Sequence, residues 1–277
     1  MPGPWVLNPG VYKWLKEPVS RRERDDAEVI NALHDIHEDD PTLGYRFLTD
    51  ELEDAGIAAS ENRVHRLCQI GGIQASHAKR KGRAGRPGPP VHDDLLAVVD
   101  GQGLVRHHFS AKAPNQVWLT DITEHRTREG KLYLCAVKDV FSNRIVGHSI
   151  DTRMRSSLAV SAIRNAIVLR GPEKTICHSD RGSQFRSRKV ARLLKANGLQ
   201  GSMGRVGSAG DNAAMESFFS LLQKNVLNTR RWDSREELRH AIVIWIETKY
   251  NRKRRQRGLG KLTPVEFEMI NQPATAG

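Results

Sequence analysis

The chain has 277 residues, with 44 Lys plus Arg against 32 Asp plus Glu, a formal charge of +12 and a pI near 9.9. That length accommodates one sizeable core and a smaller module, and the basic balance suits a polyanionic partner such as nucleic acid. The opening MPGPWVLNPGVYKWLKEP lacks the charged-then-apolar pattern of a secretory signal, and the apolar run AIVIWI is far too short to span a bilayer, so a cytosolic protein without membrane insertion is expected. Cys68, Cys135 and Cys177 fall in no C-x-x-C arrangement and read as small buried hydrophobes in a reducing compartment.

Residues 1–77 read as an all-helical module. Between Ser20 and Glu38, Val29, Ile30, Leu33 and Ile36 recur at helical spacing and Pro41 ends the element. A second helix runs through Tyr45, Leu48 and Leu52 to Gly56, and Ser60 caps a third that turns Val64, Leu67 and Cys68 inward. Two short helices joined by Gly56 to Ala59 suggest a helix-turn-helix, with Asn62, Arg63, His65, Arg66 and Gln69 outward as readers of bases or phosphates. The bland alternative is a solvated polar face. His34, His37, His65 and Cys68 are a weaker alternative, a zinc set. Against zinc, the apolar face already accounts for the fold and only one thiolate is present.

Residues 78–110 read as a basic linker and connecting segment. Lys79, Arg80 and Lys81 open a Gly/Pro-rich stretch able to track a phosphate backbone, and Val91 to Gln116 shows no clear pattern.

From residue 111 to 277 a second domain is expected. VWLTDIT, KLYLCAVKDV and RIVGHSID are strand-like runs separated by REGK and FSN turns. A helix over SSLAVSAIRNAIVLRG follows, capped by Ser156 or Ser157. Then come strand TICHSD, helix SRKVARLLKANG and a short strand near LQGSMG. Strands first antiparallel, then alternating with helices, give a mixed α/β sheet flanked by helices. Glycines 201, 204, 207 and 210 precede a helix capped by Asp211 or Asn212, with Met215, Phe218, Phe219, Leu222 and Val226 as its buried stripe. A Ser234 to Glu237 capping box opens a further packed helix, NRKRRQR supplies Arg252, Lys253, Arg254, Arg255 and Arg257, and Thr263, Pro264 and Glu266 start the last helix.

Asp121 sits on the first strand of this domain, Asp180 closes the fourth, and Glu216 lies in the first turn of the helix after the glycines, with 35 residues (181–215) between the last two. Three carboxylates gathered from two strands and a helix form a site for hard divalent cations, and two such ions can drive phosphodiester chemistry. Taken singly, Glu216 is an ordinary first-turn glutamate. Asp139 and Asp211 occupy common turn and cap positions and are assigned no metal.

The D-D-x(35)-E spacing, with TDIT, HSDRGSQF and DNAAMESFF around the three carboxylates, resembles the catalytic subunit of insertion-sequence transposases of the IS-three family, relatives of retroviral integrases. The similarity runs from about Val11 to about Phe267. It implies a ribonuclease-H-like, five-stranded core behind a helix-turn-helix domain, with Asp121 and Asp180 on neighbouring strands. It also implies DNA strand cleavage and strand transfer by metal-bound Asp121, Asp180 and Glu216, two Mg²⁺ ions with Mn²⁺ as substitute, and terminal inverted repeats and target DNA as partners. A homo-oligomer on DNA, an upstream-frame protein or frameshift fusion, and a nucleoid location follow from the same resemblance. The family's DNA-contacting lysine seven residues beyond the glutamate is Gln223 here, with Lys224 beside it, and its usual His-Ser after the basic tract is Gln256 and Arg257. The competing readings are a nuclease or resolvase that cuts without joining and a non-enzymatic DNA-binding descendant.

Overall fold

The computed structural model describes residues 19–41, 43–75, 90–99, 105–107, 109–204 and 213–271. Lys79, Arg80, Lys81, Asp211 and Asn212 lie outside these residues. The chain divides into two compact units, 1–77 and 78–277.

In the first unit, α1 (Arg21–Asp39) starts at a complete capping box: Ser20 Oγ accepts from Glu23 N at 3.2 Å and Glu23 Oε2 accepts from Ser20 N at 2.7 Å. α2 (Tyr45–Asp54) and α3 (Glu61–Ile70) follow, α3 capped by Ser60 as the sequence suggests. Val29, Leu33, Leu48, Leu52, Val64, Leu67 and Cys68 close one core between the three helices. Cys68 thus serves packing, and the His65 ring lies against Tyr45.

The second unit is built on a mixed sheet of β3 (Val117–Thr127), β4 (Gly130–Asp139), β5 (Ile145–Asp151), β6 (Ile176–Ser179) and β7 (Gln200–Met203), in the order β5-β4-β3-β6-β7. β3, β4 and β5 form the antiparallel meander, and β6 and β7 run parallel to β3. This is the ribonuclease-H-like arrangement. One face carries α4 (Ser156–Arg170) and α5 (Arg188–Ala196) over Trp118, Cys135, Val137 and Cys177. β5 and α4 approach so closely that a Cβ on Gly147 would stand 2.5 Å from the Ala162 carbonyl oxygen. The other face carries α6 (Ala213–Leu222) and α7 (Arg235–Ile244) over Val117, Leu119, Leu134 and Ala136. Each fully buried α6 side chain, Met215, Phe218 or Leu222, contributes about 2 kcal/mol of transfer free energy, so α6 is held by its own stripe.

Three local expectations change. α4 begins at Ser156 behind Arg155, which makes no side-chain cap, because neither serine stands at the cap position. Residues 97–99 and 105–107, patternless in sequence, form the hairpin β1 (Ala97–Val99) and β2 (Val105–His107), and Leu96 enters the core. α6 and α7 continue into π-helical turns at Gln223–Leu227 and Trp245–Tyr250. A short 3₁₀ turn (Arg257–Leu259) and α8 (Pro264–Ile270) end the described chain, α8 opening on a complete Thr263/Glu266 capping box.

α8 is tied to the sheet by a buried ionic cluster. Glu268, 2% exposed, accepts from Ser142 Oγ at 2.7 Å and from Arg144 and Arg170 at 2.7 to 3.0 Å. Asp139, fully buried, accepts the Asn115 and Phe141 backbone N–H groups at 2.7 and 3.0 Å and lies 3.6 Å from Arg170. It is a structural carboxylate, in keeping with its turn position.

Candidate active site

The parallel β3–β6 register pairs Val117 with Ile176, Leu119 with His178 and Thr120 with Ser179. Asp121 and Asp180 are the next residue on each strand, about 5 Å apart across the ladder by the usual strand spacing. Side chains alternate along a strand, and Val117, Leu119 and Ile176 pack on the α6 side. Asp121 and Asp180 continue those rows toward the helix that carries Glu216. Both carboxylates lie near enough to the fully buried Cys135 to reinforce burial in pushing its thiol up.

Asp121 is half-buried, and its Oδ1 accepts its neighbour's backbone N–H from Ile122 at 2.7 Å. Asp180 keeps an exposed edge, yet burial pushes its carboxyl above the usual range, offset in part by the Gly182 N–H at 2.9 Å. A Cβ on Gly182 would stand 2.9 Å from Asp180 Oδ1, so a side chain there would displace this carboxylate oxygen. Glu216 is exposed in the first turn of α6. Among the described residues no three His, Cys, Asp or Glu side chains are gathered tightly enough to hold one ion together. The β3–β6 ladder thus leaves the two aspartates at neighbouring strand positions, and Glu216 lies exposed in the first turn of α6, the helix packed on that face of the sheet.

Sequence reading passed over Lys138. It pairs with Leu119 on β4, is 4% exposed, and donates from Nζ to the Ala214 carbonyl at 3.0 Å, two residues before Glu216. Burial brings its ammonium down to about 8. The available signal was a lysine in phase with Leu134 and Ala136 on a strand buried on both faces.

The residues expected to contact DNA fare differently. On α3, Arg63 and Arg66 both reach Asp26 of α1 at 2.7 Å, and these bonds hold the Asp26 carboxyl low. In the basic tract Arg252 and Lys253 are exposed, whereas Arg254 turns inward, where burial lowers it to about 10. Arg255 is half-buried and Arg257 exposed; Lys224 is half-buried in the π-helical turn after α6.

A family described as Integrase core domain matches residues 111–209, and a second model of that description matches 197–264. An HTH-like domain matches residues 21–81. The transposase for insertion sequence element IS904 of Lactococcus lactis is 36% identical over 246 residues, 88% of this chain and 94% of the relative. Transposase InsF for insertion sequence IS3A of Escherichia coli is 36% identical over 273 residues, 96% of this chain and 91% of the relative. The chain belongs to the IS3 family of insertion-sequence transposases. The transposase is therefore a polynucleotidyl transferase with an integrase-type core. Among solved structures it is similar to the HTLV-2 integrase catalytic core in complex with magnesium, at 22% identity and TM-score 0.45 over 56% of this chain and 97% of that one. It is also similar to a chain of the simian T-cell lymphotropic virus intasome, at 16% identity and TM-score 0.49 over 85% and 73%. No helix among the described residues of the transposase is long and apolar enough to cross a membrane.

Proposed function

We propose that Asp121, Asp180 and Glu216 are the catalytic carboxylates of this transposase and that they hold two Mg²⁺ ions, with Mn²⁺ as a working substitute. The observation that supports this is the parallel β3–β6 ladder, which stops at Thr120 and Ser179 and leaves Asp121 and Asp180 as the next residue along each chain, on the sheet face that α6 covers. An all-oxygen donor set suits hard divalent cations, and a desolvated Asp180 with one backbone donor would be relieved by positive charge. When bound, such a cation pair supplies activation of the attacking oxygen and charge stabilisation at the leaving one.

The protein's own part is placement. The ladder fixes two carboxylates, Gly182 orients one of them, and Lys138 anchors the start of the helix that brings the third. The substrates are the element's terminal inverted repeats and the target DNA. Cleavage forms a bond from water oxygen to phosphorus and releases a 3′-hydroxyl. In transfer that hydroxyl attacks a second phosphodiester, again forming one P–O bond and breaking one, so no nucleotide cofactor is required. The helix-turn-helix module reads the repeat, the transposase acts as a homo-oligomer on paired ends, and an upstream-frame DNA-binding protein or frameshift fusion completes it at the nucleoid.

The test is strand transfer on the element's terminal repeats with Mg²⁺. Asp180→Asn and Glu216→Gln should abolish cleavage and joining while binding persists, and joined products separate a transposase from a nuclease. Asp139→Asn is unsuitable as the inert control because Asp139 is buried beside Arg170. Glu124→Gln, at an exposed carboxylate paired with Lys131, takes that place.

A further inference from the structure

At the end of β3 remote from Asp121 the surface holds an open cavity of ≈ 590 Å³ whose wall includes Arg126, Arg128, Arg230 and Arg231 and no carboxylate. Its floor is fixed. Trp232 is 5% exposed, its Nε1 donates to the Leu227 carbonyl at 3.1 Å, and its carbonyl accepts the Arg128 N–H at 3.0 Å. The Arg230 guanidinium lies over the indole ring, 4.3 Å from its centre. Acidic groups border the cavity from the α7 side: Glu237 pairs with Arg230 at 2.6 Å and Asp233 with Arg128 at 3.0 Å. Glu129 is engaged by the Arg235 backbone N–H at 2.9 Å. Arg126 and Arg231 are exposed and, among the described residues, form no ion pair. The two paired arginines are thereby oriented, and the other two keep their full charge for a ligand.

The position of this cavity says which anion it takes. His125 of its wall continues the row Asp121, Thr123 on β3, and Leu227 of its wall terminates the helix that begins near Glu216. The wall residues His125 to Thr127 lie four to six strand positions beyond Asp121, about 17 Å at mid-span at 3.3 Å each. Along one strand of B-DNA, at about 3.4 Å per phosphate, that is roughly five nucleotides. We propose that this arginine cavity is a second DNA-backbone site, which grips a phosphodiester about five nucleotides from the bond held at Asp121 and Asp180. The proposal rests on the transposase reading of those carboxylates. It adds a site that lies in neither of the basic clusters of the sequence, around Lys79–Lys81 and Arg252–Arg257. Guanidinium pairs match phosphate oxygens bidentately, and such bonds are independent of base sequence.

The test uses the full chain carrying Arg126→Gln and Arg231→Gln together, with 30-base-pair duplexes of arbitrary sequence across a salt series. Each phosphate that the protein no longer neutralises lowers the log-log salt slope by about 0.9, so the double variant should lose nearly two units and keep its melting midpoint. The control is Arg164→Gln, on exposed α4 across the sheet, which should leave the slope unchanged. A second arm places a single reactive thiol with Asn228→Cys, since the native cysteines are all buried, and maps disulfide cross-links to thiol-tethered phosphates on a terminal-repeat duplex. Maximal cross-linking near the fifth phosphate from the cleaved bond is expected. An unchanged slope in the double variant, an equal drop in the control, or a change of oligomeric state with DNA binding intact would overturn the proposal. Failure of the catalytic reading shows separately, as strand transfer that survives Asp180→Asn.

Discussion

The Lys138 ammonium and the Ala214 carbonyl meet at 3.0 Å inside the protein, which ties the first turn of the Glu216 helix to the strand that pairs with Asp121. The bond is a compromise. A buried lysine with no carboxylate partner among the described residues loses hydration, which is why its ammonium falls from 10.5 to about 8, a cost on the order of 3 kcal/mol while it stays charged. Because the folded-state value lies below the unfolded one, the cost is complete below about pH 8 and fades as pH rises toward 10.5. Lys138→Met should therefore raise the melting midpoint at pH 7 and flatten the gain in stability between pH 8 and 10.5. The same variant should slow strand transfer by about tenfold, since the helix start loses its anchor. A variant that is less stable at pH 7 than the parent would show that the bond to Ala214 outweighs desolvation.

Gly182→Ala isolates the orientation of Asp180. The new methyl would stand 2.9 Å from the carboxylate oxygen, and the turn lies at the protein surface, so the fold has room to adjust and the carboxylate does not. Cleavage should drop by about a hundredfold with a melting shift of only a few degrees. Near-parental cleavage would mean that the Asp180 side chain is free to rotate without loss.

On α3 the measurement is discrimination rather than affinity. Asp26 neutralises much of the charge of Arg63 and Arg66 and fixes their direction. Asp26→Asn should strengthen binding to scrambled DNA, steepen its salt dependence, and reduce the preference for the terminal repeat. Equal weakening on both duplexes would point instead to a damaged helical module.

Glu268→Gln should be the most destabilising of these changes, by about 3–5 kcal/mol, because it leaves Arg144 and Arg170 facing an uncharged partner in a nearly closed site. Burial pushes the Glu268 carboxyl up, but bonds from Arg144 and Ser142 and the charge of Arg170 outweigh it and leave it below 4.5. With a depressed folded-state value the stabilisation is present above pH 4.5 and lost as pH falls through the folded value. Chemical denaturation from pH 7 down to pH 3 should show parent and variant converging.

The fold was legible where periodicity and chemistry agreed. Ser60, Ser234 and Thr263 cap as their neighbours imply, although Glu237 accepts from the Asp233 N–H rather than from Ser234 and so leaves the expected capping box half made, and Met215, Phe218, Leu222 and Val226 are buried at helical spacing. The meander could be read because REGK and FSN interrupt alternating runs, and adjacency of Asp121 and Asp180 came from resemblance, since register between strands far apart in sequence leaves no local mark. The β1/β2 hairpin stayed hidden because its strands are three residues each, too short to display alternation. Lys138, Asp26 and Glu268 were missed for another reason. Their roles depend on partners 76, 37 and 124 positions away, and a charged residue does not announce from sequence which side of a strand or helix it will face.

The π-helical turn at Gln223–Leu227 has a consequence for how this family member tolerates change in length. A π turn holds one residue more than an α turn, so it behaves as an insertion absorbed without a loop. Removing one of these five residues would let α6 run on as a regular helix with everything beyond kept in phase, whereas the same deletion in the α-helical stretch Ala213–Leu222 would rotate everything beyond by roughly 100°. The turn thus marks a place where a single-codon deletion leaves the angular phase between the carboxylate end of α6 and its arginine end unchanged.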